Sequence, residues 1–210
     1  MTDPNHTAIC LLVDRSGSMS QIQQAAQDSI NEFIKGQASA EGKRMLRLAH
    51  FDDQYQVVHP LALANRSPFY HLVPRGMTAL YDAIGKGIAE FGEELSAMSE
   101  DTRPGTVIFA IMTDGMENSS REFTQEQVKS AIKQQTDMYN WNFVYLGANQ
   151  DAILTAQNIG IPRSSAVTYT ASNAGVRNVT DSLECYVVAA AAGAPAAFTD
   201  EDRERAIADD

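Results

Sequence analysis

The chain has 210 residues, 44% of them hydrophobic, enough for one α/β domain with a full core and too apolar for wholesale disorder. Its formal net charge is -11 and it carries no basic stripe able to displace counterions from phosphates, which excludes nucleic acid as a direct ligand. The acidity suits a soluble protein that attracts cations or basic partners.

Cys10 and Cys185 are the two cysteines, with no spacing that favours a disulfide, so a reducing compartment is expected. The start, MTDPNHTAIC, has neither the basic residues nor the apolar stretch of a secretory signal. The apolar stretch 186–198 is short and broken by Gly193 and Pro195, so no membrane span is expected. The sequence therefore reads as cytosolic.

Residues 7–13 (TAICLLV) form a continuous apolar run, the pattern of a strand covered on both faces. From 21 to 35, Ile22, Ala25, Ala26, Ile30, Phe33 and Ile34 recur at helical spacing. A second strand is predicted around Met45 to Phe51. Asp52-Asp53 then makes a tight turn with no further role, and 55–59 pairs back as an antiparallel hairpin. Pro60, Pro68, Pro74 and Gly76 mark 60–77 as a loop.

An amphipathic helix follows over 80–95, then a second wholly apolar strand at 106–112 (TVIFAIM). Next come a helix at 124–138, a strand at 142–146, a short helix at 151–158, a last strand at 166–170 and a closing helix at 172–192. No linker or repeat divides the chain, so 1–198 is expected as a single domain, followed by a charged tail, 199–210, that resembles a frayed helix end. Apolar strands alternating with helices predict a Rossmann-like, mostly parallel sheet between two helical layers. Ligands of such sheets sit at the carboxyl ends of the strands, where strand order reverses.

Oxygen-bearing residues gather at those places. Asp14, Ser16 and Ser18 alternate just after the first strand, with Gly17 letting the backbone turn closely. Asp114 follows the later apolar strand, and Thr78 lies just before a helix. Two carboxylates and three hydroxyls make a hard oxygen set that suits Mg²⁺ or Mn²⁺, admits Ca²⁺ and disfavours zinc. Ser16 and Ser18 could instead cap the next helix, but that leaves Asp14, Thr78 and Asp114 unexplained.

The segments DRSGS (14–18), GMT (76–78) and TDG (113–115) resemble the metal-ion-dependent adhesion site of von Willebrand factor type A (VWA) domains, of the compact intracellular bacterial or phage type. The resemblance covers nearly the whole chain. It implies a three-layer α/β/α sandwich whose six-stranded sheet has one antiparallel edge strand. It also implies a metal held by Asp14, Ser16, Ser18, Thr78 and Asp114, with an open position that a partner protein's Asp or Glu completes. Arg15, Met77, Glu117, Asn118 and Asn149 are the candidate partner contacts around it.

The rival class is a metal-dependent phosphotransferase or hydrolase of haloacid dehalogenase type, with Asp14 as nucleophile. That chemistry needs an aspartate as general acid two residues later, where this chain has Ser16. No GxxxxGK[ST] phosphate loop exists either. A binding domain rather than an enzyme is therefore expected.

Overall fold

A computed structural model describes residues 2–148 and 151–208. Its strands are β1 (Asp3–Asp14), β2 (Lys43–Phe51), β3 (Tyr55–Leu63), β4 (Pro104–Thr113), β5 (Asn142–Ala148) and β6 (Ala166–Tyr169). Its α-helices are α1 (Gln23–Ser39), α2 (Leu80–Ser96), α3 (Gln125–Tyr139), α4 (Ala152–Asn158), α5 (Asn173–Ala191) and α6 (Asp200–Ile207). The strands form one sheet in the order β3-β2-β1-β4-β5-β6, parallel except for the antiparallel β2–β3 pair at one edge. This is the α/β sandwich expected from the alternation of apolar strands and amphipathic helices.

β1 lies at the centre, and its two faces feed two cores. Ile9, Leu11 and Val13 pack with Ile22, Ile30 and Phe33 of the α1 side and with Val179, Leu183 and Val187 of α5. Ala8, Cys10 and Leu12 pack with Leu80, Ile84 and Ile88 of α2 and with Val128, Ile132, Ala152 and Ala156 of α3 and α4. A strand buried on both sides has no reason to alternate polar with apolar residues, which accounts for its continuous apolar run.

The chain departs from the predicted elements in two places. β3 continues through Pro60 to Leu63, although prolines marked 60–77 as a loop. Pro60 sits on the edge strand, where its missing N–H forfeits no ladder bond, and the β2–β3 register slips on both sides of His59. Beyond it, the loop is anchored by α1: Asn31 exchanges two hydrogen bonds with the Tyr70 backbone, at 2.8 and 2.9 Å. The side chains of Gln23 and Gln27 bind Leu72 O and N. Tyr70 and Leu72 thereby enter the core.

Within the charged tail, residues 200–207 form the helix α6. Thr199 and Asp202 form a capping box at the start of α6, and Ala206 is fully buried with its carbonyl accepting from Thr170 N–H at 3.0 Å. Phe198 stacks on Tyr186 with ring centroids 5.1 Å apart. These anchors, with the Ser182 hydroxyl donating to Asp202 Oδ1 and Arg203 Nη2 donating to Arg163 O, dock a helix whose first six positions are charged. Cys10 is buried and Cys185 exposed, and both are free thiols.

Candidate metal centre

Strand order reverses between β1 and β4, so the crevice at their carboxyl ends opens between Asp14 and Asp114. Asp14 ends β1 and is fully buried. Its Oδ1 accepts from Ser16 N–H and its Oδ2 from the Thr113 hydroxyl, both at 2.6 Å. Ser16 Oγ lies 3.1 Å from Ser18 Oγ, and the Ser18 hydroxyl donates to Asp114 Oδ1 at 2.7 Å. A continuous chain of oxygens thus joins the first loop to the third.

Thr78 reaches the same point from the second loop. A Cβ placed on Gly115 would lie 2.9 Å from Thr78 Oγ1 and 3.6 Å from Asp14 Oδ2, which puts both oxygens beside the bare Gly115 backbone. Gly17 N–H donates to Gly76 O at 3.2 Å, tying the first loop to the second. Asn118 ties the second to the third: its N–H donates to Thr78 O at 3.0 Å, and its Oδ1 accepts from Thr78 N–H at 2.9 Å.

The structure therefore brings Asp14, Ser16, Ser18, Thr78 and Asp114 together. Asp14, Ser16 and Thr78 are buried, whereas Ser18 is exposed and Asp114 half-buried, so the cluster has a closed floor and one open side. Burial pushes the Asp14 carboxyl up to about 6, against the opposing pull of the Thr113 and Ser16 hydrogen bonds and with the Asp114 charge adding to the rise. Burial also raises Asp114, offset in part by Ser18. Two carboxylates raised by burial, Asp14 also by the charge of Asp114, are a site whose charge a cation would relieve.

The donor set fits a hard divalent ion: two carboxylates and three hydroxyls, with no nitrogen or sulfur among them. Among the described residues no group of three or more His, Cys, Asp or Glu side chains is placed to hold a metal. This cluster has two carboxylates, and its remaining oxygens are alcohols.

The candidate partner contacts fare differently. Arg15 is only 6% exposed, and its Nε lies 3.0 Å from Asp52 Oδ2 in an ion pair beneath the loops. Glu117 and Asn118 are committed to the loops themselves. Glu117 accepts from the N–H groups of Tyr81, Ser119 and Ser120 and from the Ser120 hydroxyl. Both side chains position Thr78 and the start of α2. Met77 is exposed beside Thr78, and Asn149 lies outside the described residues.

Three supporting residues escaped the sequence reading. Thr113 holds Asp14, and the buried Tyr169 hydroxyl donates to Thr113 O at 3.4 Å. Asp52 is more than a turn residue, since it is fully buried and also accepts from Arg75 Nε at 2.7 Å. Its carbonyl accepts from Ala79 N–H at 2.8 Å, which fixes the residue after Thr78. The one available signal was position: a hydroxyl ending an apolar strand, and a carboxylate where a neighbouring parallel strand ends. Met116, 71% exposed between Gly115 and Glu117, joins Met77 as an apolar group near the open side.

No protein-family model matches the sequence, and no curated protein matches it either. Solved structures do. A von Willebrand factor type A protein from Catenulispora acidiphila superposes with TM-score 0.61 at 15% identity, over 87% of this chain and 42% of that one. Proximal thread matrix protein 1 from the mussel byssus, in a form with a zinc-occupied MIDAS motif, gives TM-score 0.62 at 15% identity over 90% and 47%. The vWF domain of the type V pili tip protein Mfa5 from Porphyromonas gingivalis gives 0.59 at 11% identity over 92% and 98%. The chain spans less than half of the first two proteins and nearly all of the third. At these identities the likeness is one of fold, and the fold is that of a VWA domain.

Proposed function

We propose that this chain is a metal-dependent protein-binding domain. Asp14, Ser16, Ser18, Thr78 and Asp114 would hold one Mg²⁺ or Mn²⁺, and a partner's Asp or Glu would complete the coordination. The observation that carries this reading is the convergence of the five oxygen side chains from three mutually hydrogen-bonded loops onto one half-open point. A bound dication would supply positive charge for a carboxylate ligand. Two carboxylates cancel its formal charge, while three neutral hydroxyls add none, so the site stays receptive to a third anionic oxygen.

The protein's own contribution is preorganisation. Asn118 and Asp52 fix the loop on either side of Thr78, and Thr113 orients Asp14. Catalysis is not part of the proposal, because Ser16 occupies the place of the acid that phosphoryl transfer would need. The zinc-occupied motif of the mussel protein makes zinc the comparison ion for any binding experiment.

The experiment is partner capture from a native lysate with Mg²⁺ and with EDTA, using wild type and Thr78→Ala. The expected result is a set of proteins retained by wild type with Mg²⁺ alone and lost by Thr78→Ala, which still melts cooperatively. Identical captured sets with Mg²⁺ and with EDTA would sink the metal-bridged reading.

A further inference from the structure

The end of the sheet opposite the metal loops holds a second polar feature. Gly42, at φ 80°, turns the chain from α1 into β2 and delivers Lys43 and Arg44 beside His6 and Thr7 of β1. These two cations border a cleft of about 110 Å³, walled by Gln37 in the last turn of α1, by Leu63 at the end of β3 and by Asn65 in the turn that follows. The cleft is well below the ~300 Å³ of ordinary small-molecule pockets, so its ligand has few heavy atoms.

Its chemistry is distinctive in three ways. Among the described residues no carboxylate lines it, although the chain carries 27 acidic residues against 16 basic ones. Gln37 is only 1% exposed, and among the described residues neither its Oε1 nor its Nε2 has a hydrogen-bond partner. Arg44 Nε is likewise buried without a partner, while Nη1 of the same side chain reaches Thr7 Oγ1. Burial pulls the Arg44 guanidinium down. Buried amides and guanidinium groups are almost always bonded, so the cleft lacks a ligand-shaped complement.

The missing complement can be specified. Lys43 and Arg44 call for negative charge, and a guanidinium N–H calls for an oxygen acceptor. Gln37 calls for both an acceptor, for Nε2, and a donor, for Oε1. A carboxylate or sulfate supplies acceptors alone. Hydrogen phosphate supplies oxygens, charge and one P–OH donor in a volume that suits the cleft. We propose that this cleft, formed by Gln37, Lys43 and Arg44, is a binding site for hydrogen phosphate, separate from the metal centre.

The test is thermal melting of the whole chain in EDTA, with phosphate, sulfate and chloride at matched ionic strength. Phosphate is expected to raise the midpoint by several degrees over chloride, with sulfate between them. Gln37→Leu, which keeps the bulk and removes both unpartnered atoms, should reduce the phosphate response to that of chloride, while Asp14→Asn keeps it in full. In wild type, the Gln37 side-chain amide resonances should shift on phosphate titration, a readout that survives if the variant does not fold. Equal responses to phosphate and chloride, an undiminished response in Gln37→Leu, or unmoved Gln37 resonances would each overturn the proposal. Lys43 and Arg44 would then serve only to offset the carbonyl end of α1.

Discussion

Asp14→Asn separates the cost of the proposed metal site from its use. The Asp14 carboxyl is fully buried and pushed by burial from the ordinary 3.8 to about 6. The difference is equivalent to about 3 kcal/mol of penalty on the ionised form in the metal-free fold. Asparagine has nearly the same shape and no charge. Its Oδ1 can keep the bond from Ser16 N–H, and Thr113, already 3.1 Å from Gly115 N and O, can turn its hydroxyl to accept from Nδ2. Allowing about 1 kcal/mol for the weaker neutral hydrogen bonds, the variant should be more stable than wild type by about 2 kcal/mol at neutral pH in EDTA.

The sign with pH follows from the raised value. A carboxyl that ionises later in the folded state than in the unfolded state costs nothing while both are protonated. The cost grows as pH rises from 3.8 to about 6 and is complete above that. The advantage of asparagine should therefore be full above pH 6 and vanish towards pH 3.8. Urea unfolding across this range measures it, and a second series with Mg²⁺ should stabilise wild type and leave Asp14→Asn unchanged. A variant no more stable than wild type at neutral pH in EDTA would refute the burial argument. One that still responds to Mg²⁺ would refute the ligand assignment.

Two other substitutions test the support around the site. Gly115→Ala places a methyl 2.9 Å from Thr78 Oγ1, so metal affinity measured by calorimetry should fall by about 10-fold or more while the fold persists. Asp52→Ala strands the buried Arg15 guanidinium, and chemical denaturation should show a loss of about 3–5 kcal/mol. A loss below about 1 kcal/mol would mean that water reaches Arg15.

The parts of this fold that could be read from sequence are those set by local pattern. Continuous apolar runs place β1 and β4 at the sheet centre, and oxygen side chains directly after such runs must emerge at its carboxyl end. What escaped depends on neighbours distant in sequence. Pro60 reads as a breaker until its strand is known to be an edge. Arg15 alternates away from the ligands, but only the fold shows that this direction leads to Asp52 rather than to solvent. Glu117 and Asn118 look like a free polar loop until Tyr81 and Thr78 are brought beside them. The α6 segment looks solvated because its six charged residues outvote the two apolar anchors, Phe198 and Ala206.

The two borders of the sheet restrict how anything can attach to it. On one side, β3 carries Pro60 and two register slips, so an incoming strand would find an interrupted, strongly twisted template. On the other, β6 has four residues, and α6 occupies the space beside it through Thr170 and Arg203. Backbone-to-backbone zippering, which needs little more than an open margin, is blocked at both ends. Lengthening of this sheet by a second copy or a foreign peptide is disfavoured at both margins, so under the proposed reading selectivity falls to side chains at the loop face.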